Sequence, residues 1–259
     1  MNGEKKKNRY SKNKILKKRG KNMYKDKKIV AIIPAYNEEG KIGRLLSKIP
    51  KDLFDLVVVI NDGSTDHTVQ EILAAEKQEQ LPIHLITLEK NSGLGIAFKQ
   101  AFHFLKTQPY DIGIIMGGDD QDNPNEAYKF VQEIVDNNYQ IVQGSRYLGM
   151  TKEIPLFRLL TTNMYSAFFS LVARHKISDA STGYKAFTID ILSQIDLEQD
   201  WLNAKYGIEQ YFLMQCIKKG YRFTETPVKK YFPKEGYTKM RPLIDWWYML
   251  QPIIRSIFK

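Results

Sequence analysis

One cysteine, Cys216, and four histidines among 259 residues leave little material for thiol or imidazole chemistry. A lone thiol excludes a disulfide framework and fits a reducing compartment. It lies in a helical-looking run from Tyr211 to Lys219, where it reads as a small buried apolar side chain. No two histidines stand at metal-ligand spacing, so a zinc site is not expected, and His67 reads as an exposed loop residue. The first predicted strand is not followed by G-x-G-x-x-G, and G-x-x-x-x-G-K-[ST] occurs nowhere, which disfavours dinucleotide dehydrogenases and P-loop NTPases. No stretch reaches the roughly 20 apolar residues needed to span a bilayer. The amino terminus has no apolar segment of the secretory type.

Acidic residues are also nearly absent from the first 28 positions, which hold 13 Lys or Arg against Glu4 and Asp26. That segment accounts for the whole formal charge of +10, because the remaining 26 basic and 27 acidic residues almost cancel. A near-neutral body argues against a nucleic-acid-binding face and confines the basic character to a tail. With almost no apolar residues beyond Ile15, Leu16 and Met23, residues 1–27 cannot bury enough surface to order themselves. They are expected to be a disordered arm suited to an anionic membrane surface, where each Lys or Arg contributes up to about 1 kcal/mol.

What the rest contains is a regular alternation. Lys28 to Pro34, Leu56 to Ile60, Ile83 to Leu88 and Ile112 to Met116 are apolar runs of strand length, and Ile141 to Gln143 is a shorter one. Between the first four lie segments of helical periodicity, such as Ile42, Leu45, Leu46 and Ile49. Strands alternating with helices predict an α/β fold: a Rossmann-like, mostly parallel sheet with helices on both faces. Polar loops follow the strands at Tyr36 to Glu38, Asn61 to Asp66 and Asp119 to Asp122, and in such a sheet they converge on one edge, where ligands bind.

The richest of these loops is Gly117-Gly118-Asp119-Asp120-Gln121-Asp122-Asn123-Pro124. Three carboxylates in four residues repel one another unless a positive charge lies between them. Oxygen donors without His or Cys suit a hard cation, Mg²⁺ or Mn²⁺. The plainer reading is a solvated turn before a helix starting near Pro124, with Asp122 or Asn123 as its cap.

Read together, IPAYNEE, VVVINDGSTDHT, NSGLGIAF, the DDQDNP segment, QGSRY, STGYKAF and ETPVKKYFPKEGYTKMRP resemble the family 2 glycosyltransferases of GT-A fold, in particular the soluble dolichyl-phosphate mannose synthase-like branch. The resemblance covers about residues 28–245. It implies a GT-A domain over 28–240, followed by an amphipathic helix over 241–259. It also implies transfer of a sugar from a nucleoside-diphosphate donor, GDP-mannose or a UDP-hexose, to a polyprenyl (dolichyl or undecaprenyl) phosphate. By the same resemblance Pro34, Tyr36, Glu38, Asp62 and Gly118 line the donor site, with Glu38 on ribose hydroxyls and Asp62 on the base. Asp119 and Gln121 hold the metal, and Asp120 or Asp122 supplies a further oxygen. The chain departs from the family pattern at Gly117, which stands on the first Asp of the D-x-D motif, at Asn61, which replaces an Asp, and at Pro233, which replaces an Arg.

A phosphate acceptor is already an anionic nucleophile at pH 7 and needs positive groups to hold it for in-line attack rather than a general base. Arg146, and Arg158 with Thr162 four residues later on one helix face, match positions that bind acceptor phosphate in the family. Glu209 matches an acidic family position and is the base to consider if the acceptor is a hydroxyl. The helix Leu156 to Ala173 is apolar over more than one face, so it either enters the core or offers a side to lipid. Leu243, Trp246, Trp247, Leu250, Ile254 and Ile257 recur at helical spacing with interfacial aromatics, while Asp245, Pro252 and Arg255 argue against spanning. The expected protein is thus a peripheral enzyme of the cytoplasmic face of a membrane. The readings to weigh against it are transfer to a glycan or protein hydroxyl, and non-catalytic binding of a nucleotide sugar.

Overall fold

A computed structural model describes Tyr24 and residues 26–149, 156–231 and 244–257. The basic arm, apart from Tyr24, Asp26 and Lys27, lies outside the described residues, as do Pro233 and the rest of the segment 232–243. In chain order the elements are β1 Ile29–Ala35, α1 Ile42–Ser47, β2 Leu56–Asn61, α2 Thr68–Glu79, β3 Ile83–Thr87, α3 Leu94–Lys106, β4 Ile112–Ile115, α4 Ala127–Asn137, β5 Ile141–Ser145, α5 Leu156–Ala173, β6 Lys185–Thr188, α6 Ile208–Lys218, β7 Phe223–Pro227 and α7 Ile244–Ile257. The strands form one seven-stranded sheet in the order β3-β2-β1-β4-β6-β5-β7.

The apolar runs are strands because both of their faces are covered, which leaves no place for a polar side chain. Val30 and Ile32 of β1 face one core with Val58, Phe98, Phe102 and Phe212, and the alternate residues Ala31 and Ile33 face a second with Val57, Leu45, Ile72 and Phe130. β1 pairs in parallel with β2 and with β4, the register matching Ile33 to Val59 and Ile32 to Ile115.

The expected α/β sheet with helices on both faces is present, and one strand departs from parallel. β6 is antiparallel to both β4 and β5. The turn before it is pinned near the edge at which β5 ends, since Asp179 binds Arg146 just after β5 and Glu225 accepts the N–H groups of Ser178 and Asp179. The chain therefore enters β6 from the end where β5 leaves. Short strands such as β6 and β7, interrupted by Lys185 and Glu225, carry no apolar run by which to be recognised.

Helix α5 has one side in the core and an apolar side exposed. Thr162, Tyr165, Ser166, Phe169 and Ala173 are buried, while Leu160, Met164, Phe168 and Leu171 form an exposed apolar stripe. α7 is half-buried: Met249, Pro252 and Ile253 face inward, Tyr165 donates its hydroxyl to the Met249 carbonyl at 3.0 Å, and Trp247 is 53% exposed. No helix among the described residues is long and apolar enough to cross a membrane.

At the start of α3 the chain packs backbone to backbone. Gly95 donates its N–H to the Ala204 carbonyl at 3.1 Å, and a Cβ on Gly95 would lie 1.8 Å from the Leu202 carbonyl oxygen. Gly95→Ala should therefore cost about 1–3 kcal/mol or more of unfolding free energy; equilibrium urea denaturation checks it.

Candidate active site

The loops after β1, β2 and β4 are stitched to one another at the carboxyl edge of the sheet. Gly118 donates its N–H to the Pro34 carbonyl at 3.2 Å, and Asp62 to the Ala35 carbonyl at 2.9 Å. Asn37 N–H reaches the Ser64 hydroxyl, and the Thr65 N–H returns to the Asn37 side chain. Pro34 thus carries the β1 end against Gly118, and a Cβ on Gly118 would stand only 2.9 Å from the Pro34 oxygen. Tyr36 sits half-buried in the same turn.

Glu38 and Asp62 are buried carboxylates on this edge. Glu38 is held by its backbone N–H on the Thr68 hydroxyl (2.8 Å) and by Lys41 on its carboxylate (2.9 Å). Asp62 takes the Ser92 N–H on one oxygen (2.7 Å) and the Gly93 N–H on the other (2.9 Å), so it shapes the loop after β3. The Asp66 carboxylate accepts the Thr68 N–H at 3.0 Å in the first turn of α2. His67 is exposed, with Nδ1 2.9 Å from Glu39.

The acidic loop divides its three carboxylates. Asp120 adopts φ +59°, a conformation Asp tolerates better than most residues. Its side chain meets Arg44 (3.2 Å) and Lys48 (2.6 Å) of the α1 segment. Of the two residues expected as a further metal oxygen, Asp120 thus has both oxygens on cations. Asp122, only 2% exposed in its side chain, pairs with Lys230 at 3.3 Å and takes the Gly117 N–H at 3.2 Å on its other oxygen. Among the described residues, Asp119 accepts only the Gln121 N–H, at 3.2 Å. Burial lifts its carboxyl above the ordinary aspartate range; Lys230 opposes this, and the nearby charges of Asp122 and Glu38 reinforce it. Asn123, rather than Asp122, caps the turn that follows, accepting the Asn125 N–H.

Among the described residues no three His, Cys, Asp or Glu side chains gather as a metal cage. The donors nevertheless fit a hard cation of another kind. A Cβ on Gly117 would lie 3.1 Å from Asp119 Oδ1 and 3.7 Å from Asp122 Oδ2, so two carboxylates flank one small volume, with the Lys230 ammonium beside Asp122 as a stand-in charge. Mg²⁺ is commonly held by one or two carboxylates and completes its shell with phosphate oxygens and water.

Arg146 also has a task other than the expected one on acceptor phosphate. Its Nε and Nη2 form a fork on Asp179 at 2.6 and 2.7 Å, its backbone N–H bonds the same carboxylate, and Nη2 reaches Ser181 at 2.6 Å. The pair is almost wholly buried, so its physical work is to lock the turn before β6 against the end of β5. Thr162 is buried with its hydroxyl against that of Tyr147. Arg158 lies in α5 one turn before Thr162, and its side chain is outside the described residues. Glu209 Oε1 is 3.7 Å from the fully buried ammonium of Lys185, whose pKa burial lowers against the pull of Glu209. Burial raises the Cys216 thiol, in keeping with an inert core side chain.

Lys230 and Asp179 were not anticipated as partners here. Each belongs to a stretch that is polar for many possible reasons, PVKKY and ISDAST, and only the fold brings them to the edge.

The glycosyl transferase family 2 profile matches residues 30–196. The chain is 27% identical to the polyprenol monophosphomannose synthase of Mycolicibacterium smegmatis, covering 82% of this chain and 80% of that one. It is 26% identical to the UDP-N-acetylglucosamine–dolichyl-phosphate N-acetylglucosaminyltransferase of Methanococcus voltae, covering 79% and 86%. In fold it matches glucosyl-3-phosphoglycerate synthase from Mycobacterium tuberculosis, solved with Mn²⁺, UDP and phosphoglyceric acid, at a TM-score of 0.65 and 15% identity over 91% of this chain and 78% of that one.

Removing one partner of a buried ion pair strands the other. Arg146→Ala should lower stability by about 3–5 kcal/mol, measured by denaturant unfolding.

Proposed function

The chain belongs to glycosyl transferase family 2 and has the GT-A fold, and on that premise we propose that it moves a sugar, with inversion, from a nucleoside-diphosphate donor to a polyprenyl phosphate. The observation that carries this reading is the convergence of Glu38, Asp62 and Asp119 on one sheet edge, over loops that bond one another. Relatives with 26–27% identity are named for transfer to polyprenyl phosphates, one of mannose and one of N-acetylglucosamine, so the acceptor class has more support than the sugar or base.

In this reading Pro34, Tyr36, Glu38 and Gly118 surround the nucleoside. Asp62 faces the base with the lone pairs that Ser92 and Gly93 leave it, since a ring N–H needs an acceptor once water is excluded. A Mg²⁺ or Mn²⁺ ion, when bound, supplies Lewis acidity toward the departing diphosphate. Asp119 is its principal protein ligand, with Asp122 and the Gln121 amide beside it. Arg158 and Thr162 orient the acceptor phosphate from α5, and Arg146 positions that region through Asp179. The exposed stripe of α5, Trp247 on α7 and the basic residues of 1–27 meet an anionic membrane at its cytoplasmic face.

A hydroxyl acceptor would call on a general base within reach. Glu209 is instead committed to the buried ammonium of Lys185, 3.7 Å away, which favours the phosphate.

Two variants test the assignments. A carboxyl whose folded pKa lies above its unfolded value binds its proton more tightly when folded, so it penalises the unliganded fold increasingly as pH rises through that range. Asp119→Asn should therefore melt higher than wild type at pH 7, the gap closing toward acid pH, while transfer of labelled sugar falls about 100-fold or more. Transfer at the wild-type rate would remove the residue from the chemistry. Arg158→Ala should raise the half-saturating polyprenyl phosphate concentration about tenfold or more, as for a lost charged hydrogen bond, with the donor KM within about twofold; steady-state kinetics with each substrate varied decides it.

A further inference from the structure

The segment after β7 runs along the acidic loop and is tied to it at three points. Asp122 and Lys230 form an antiparallel bridge, Tyr231 donates its N–H to the Gln121 carbonyl at 2.9 Å, and Lys229 donates its N–H to the buried Glu126 carboxylate at 2.9 Å. This backbone pairing sets the side chain of Lys230 inward, with only 15% of it exposed and its ammonium 3.3 Å from Asp122 Oδ1. Burial works against the charged form of this lysine, and the neighbouring carboxylates of Asp122 and Asp119 work for it.

The charges nearby define what this arrangement can do. Asp119 and Asp122 flank the volume beside Gly117, and Arg146 is spent on Asp179. Lys230 is thus the cation paired with Asp122, and its charge also acts on Asp119. A divalent ion arriving alone would meet carboxylates already half neutralised and a like charge within the same cluster. A donor diphosphate changes the balance, because it offers the ammonium a new anionic partner and frees Asp122 as an oxygen donor. Lysine suits such a move: it is a point charge on a flexible stem, whereas a bidentate arginine is not.

We propose that Lys230 is the resident cation of the donor site: its ammonium stays on Asp122, next to Asp119, while the site is empty, and passes to the donor's diphosphate as the divalent ion takes the two carboxylates. The proposal rests on the nucleotide-sugar reading of the preceding subsection and adds a consequence to it. Metal and nucleotide binding become interdependent, each weak without the other, and the interdependence runs through one side chain.

Electron paramagnetic resonance of Mn²⁺ bound to the full chain tests this without reference to activity, with and without UDP or GDP. Wild-type protein should bind Mn²⁺ weakly alone and at least about tenfold more tightly with the nucleotide it accepts. Lys230→Met should bind Mn²⁺ alone at least about tenfold more tightly than wild type, and the gain from nucleotide should shrink to within about threefold. Lys230→Arg, checked for folding by circular dichroism alongside the Met variant, keeps the charge but forks it onto the carboxylates, and should bind Mn²⁺ alone as weakly as wild type. Nucleotide binding with the same coupling in wild type and Lys230→Met would overturn the role of Lys230 and leave the donor reading intact. Failure of wild type to bind either nucleotide with Mn²⁺ would overturn the donor reading and the proposal with it.

Discussion

Parallel pairing of β2, β1 and β4 is the constraint from which the site follows. Parallel neighbours cannot be joined by a tight turn, so each connection must cross the sheet through a helix and return. Every loop that leaves a strand then emerges at the same edge. With Ile33 opposite Val59 and Ile32 opposite Ile115, the turn after Ala35, the turn after Asn61 and the acidic loop after Met116 stand side by side. Their mutual hydrogen bonds, Gly118 to Pro34 and Asp62 to Ala35, turn that adjacency into a fixed frame.

A frame of this kind concentrates negative charge, and the structure answers each charge separately. Asp120 is carried outward to Arg44 and Lys48, Asp62 is absorbed by two backbone N–H groups, Glu38 meets Lys41, and Asp122 meets Lys230. Asp119 is left with the least compensation, and burial raises its pKa accordingly. A carboxylate disfavoured in this way is a poor contributor to the stability of the unliganded protein and a good place for an added cation. The acidic loop is in this sense incomplete by construction, and in the proposed reading the donor with its metal would complete it.

The second half of the molecule serves a different end. β6 and β7 close the sheet, and the Arg146–Asp179 fork locks the turn between α5 and β6 to the end of β5. That lock seats α5 so that Tyr165 and Phe169 enter the core while Met164 and Leu171 remain outside. One helix thereby carries a buried side and an apolar outer surface, which is what the proposed acceptor, with its anionic head and hydrocarbon tail, would need.

The elements built from apolar runs were legible in the residues alone: β1 to β5, the helices between them, the shared loop edge and the family motifs. Buried parallel strands have to be continuously apolar, and that leaves a mark on the chain. Asp119 was legible for the same reason, as a carboxylate at the end of such a strand. Which carboxylate meets which cation was not legible, because Lys230 lies more than a hundred residues from Asp122, and nothing local distinguishes it from Lys229, whose side chain is exposed. Arg146 carried the chemistry of a phosphate ligand in its sequence, and only the approach of Asp179 gave its fork to the fold. The antiparallel entry of β6 was decided in the same way. Local periodicity reports burial, whereas the pairing of charges and the direction of a short strand depend on contacts between distant segments, which exist only once the chain has closed.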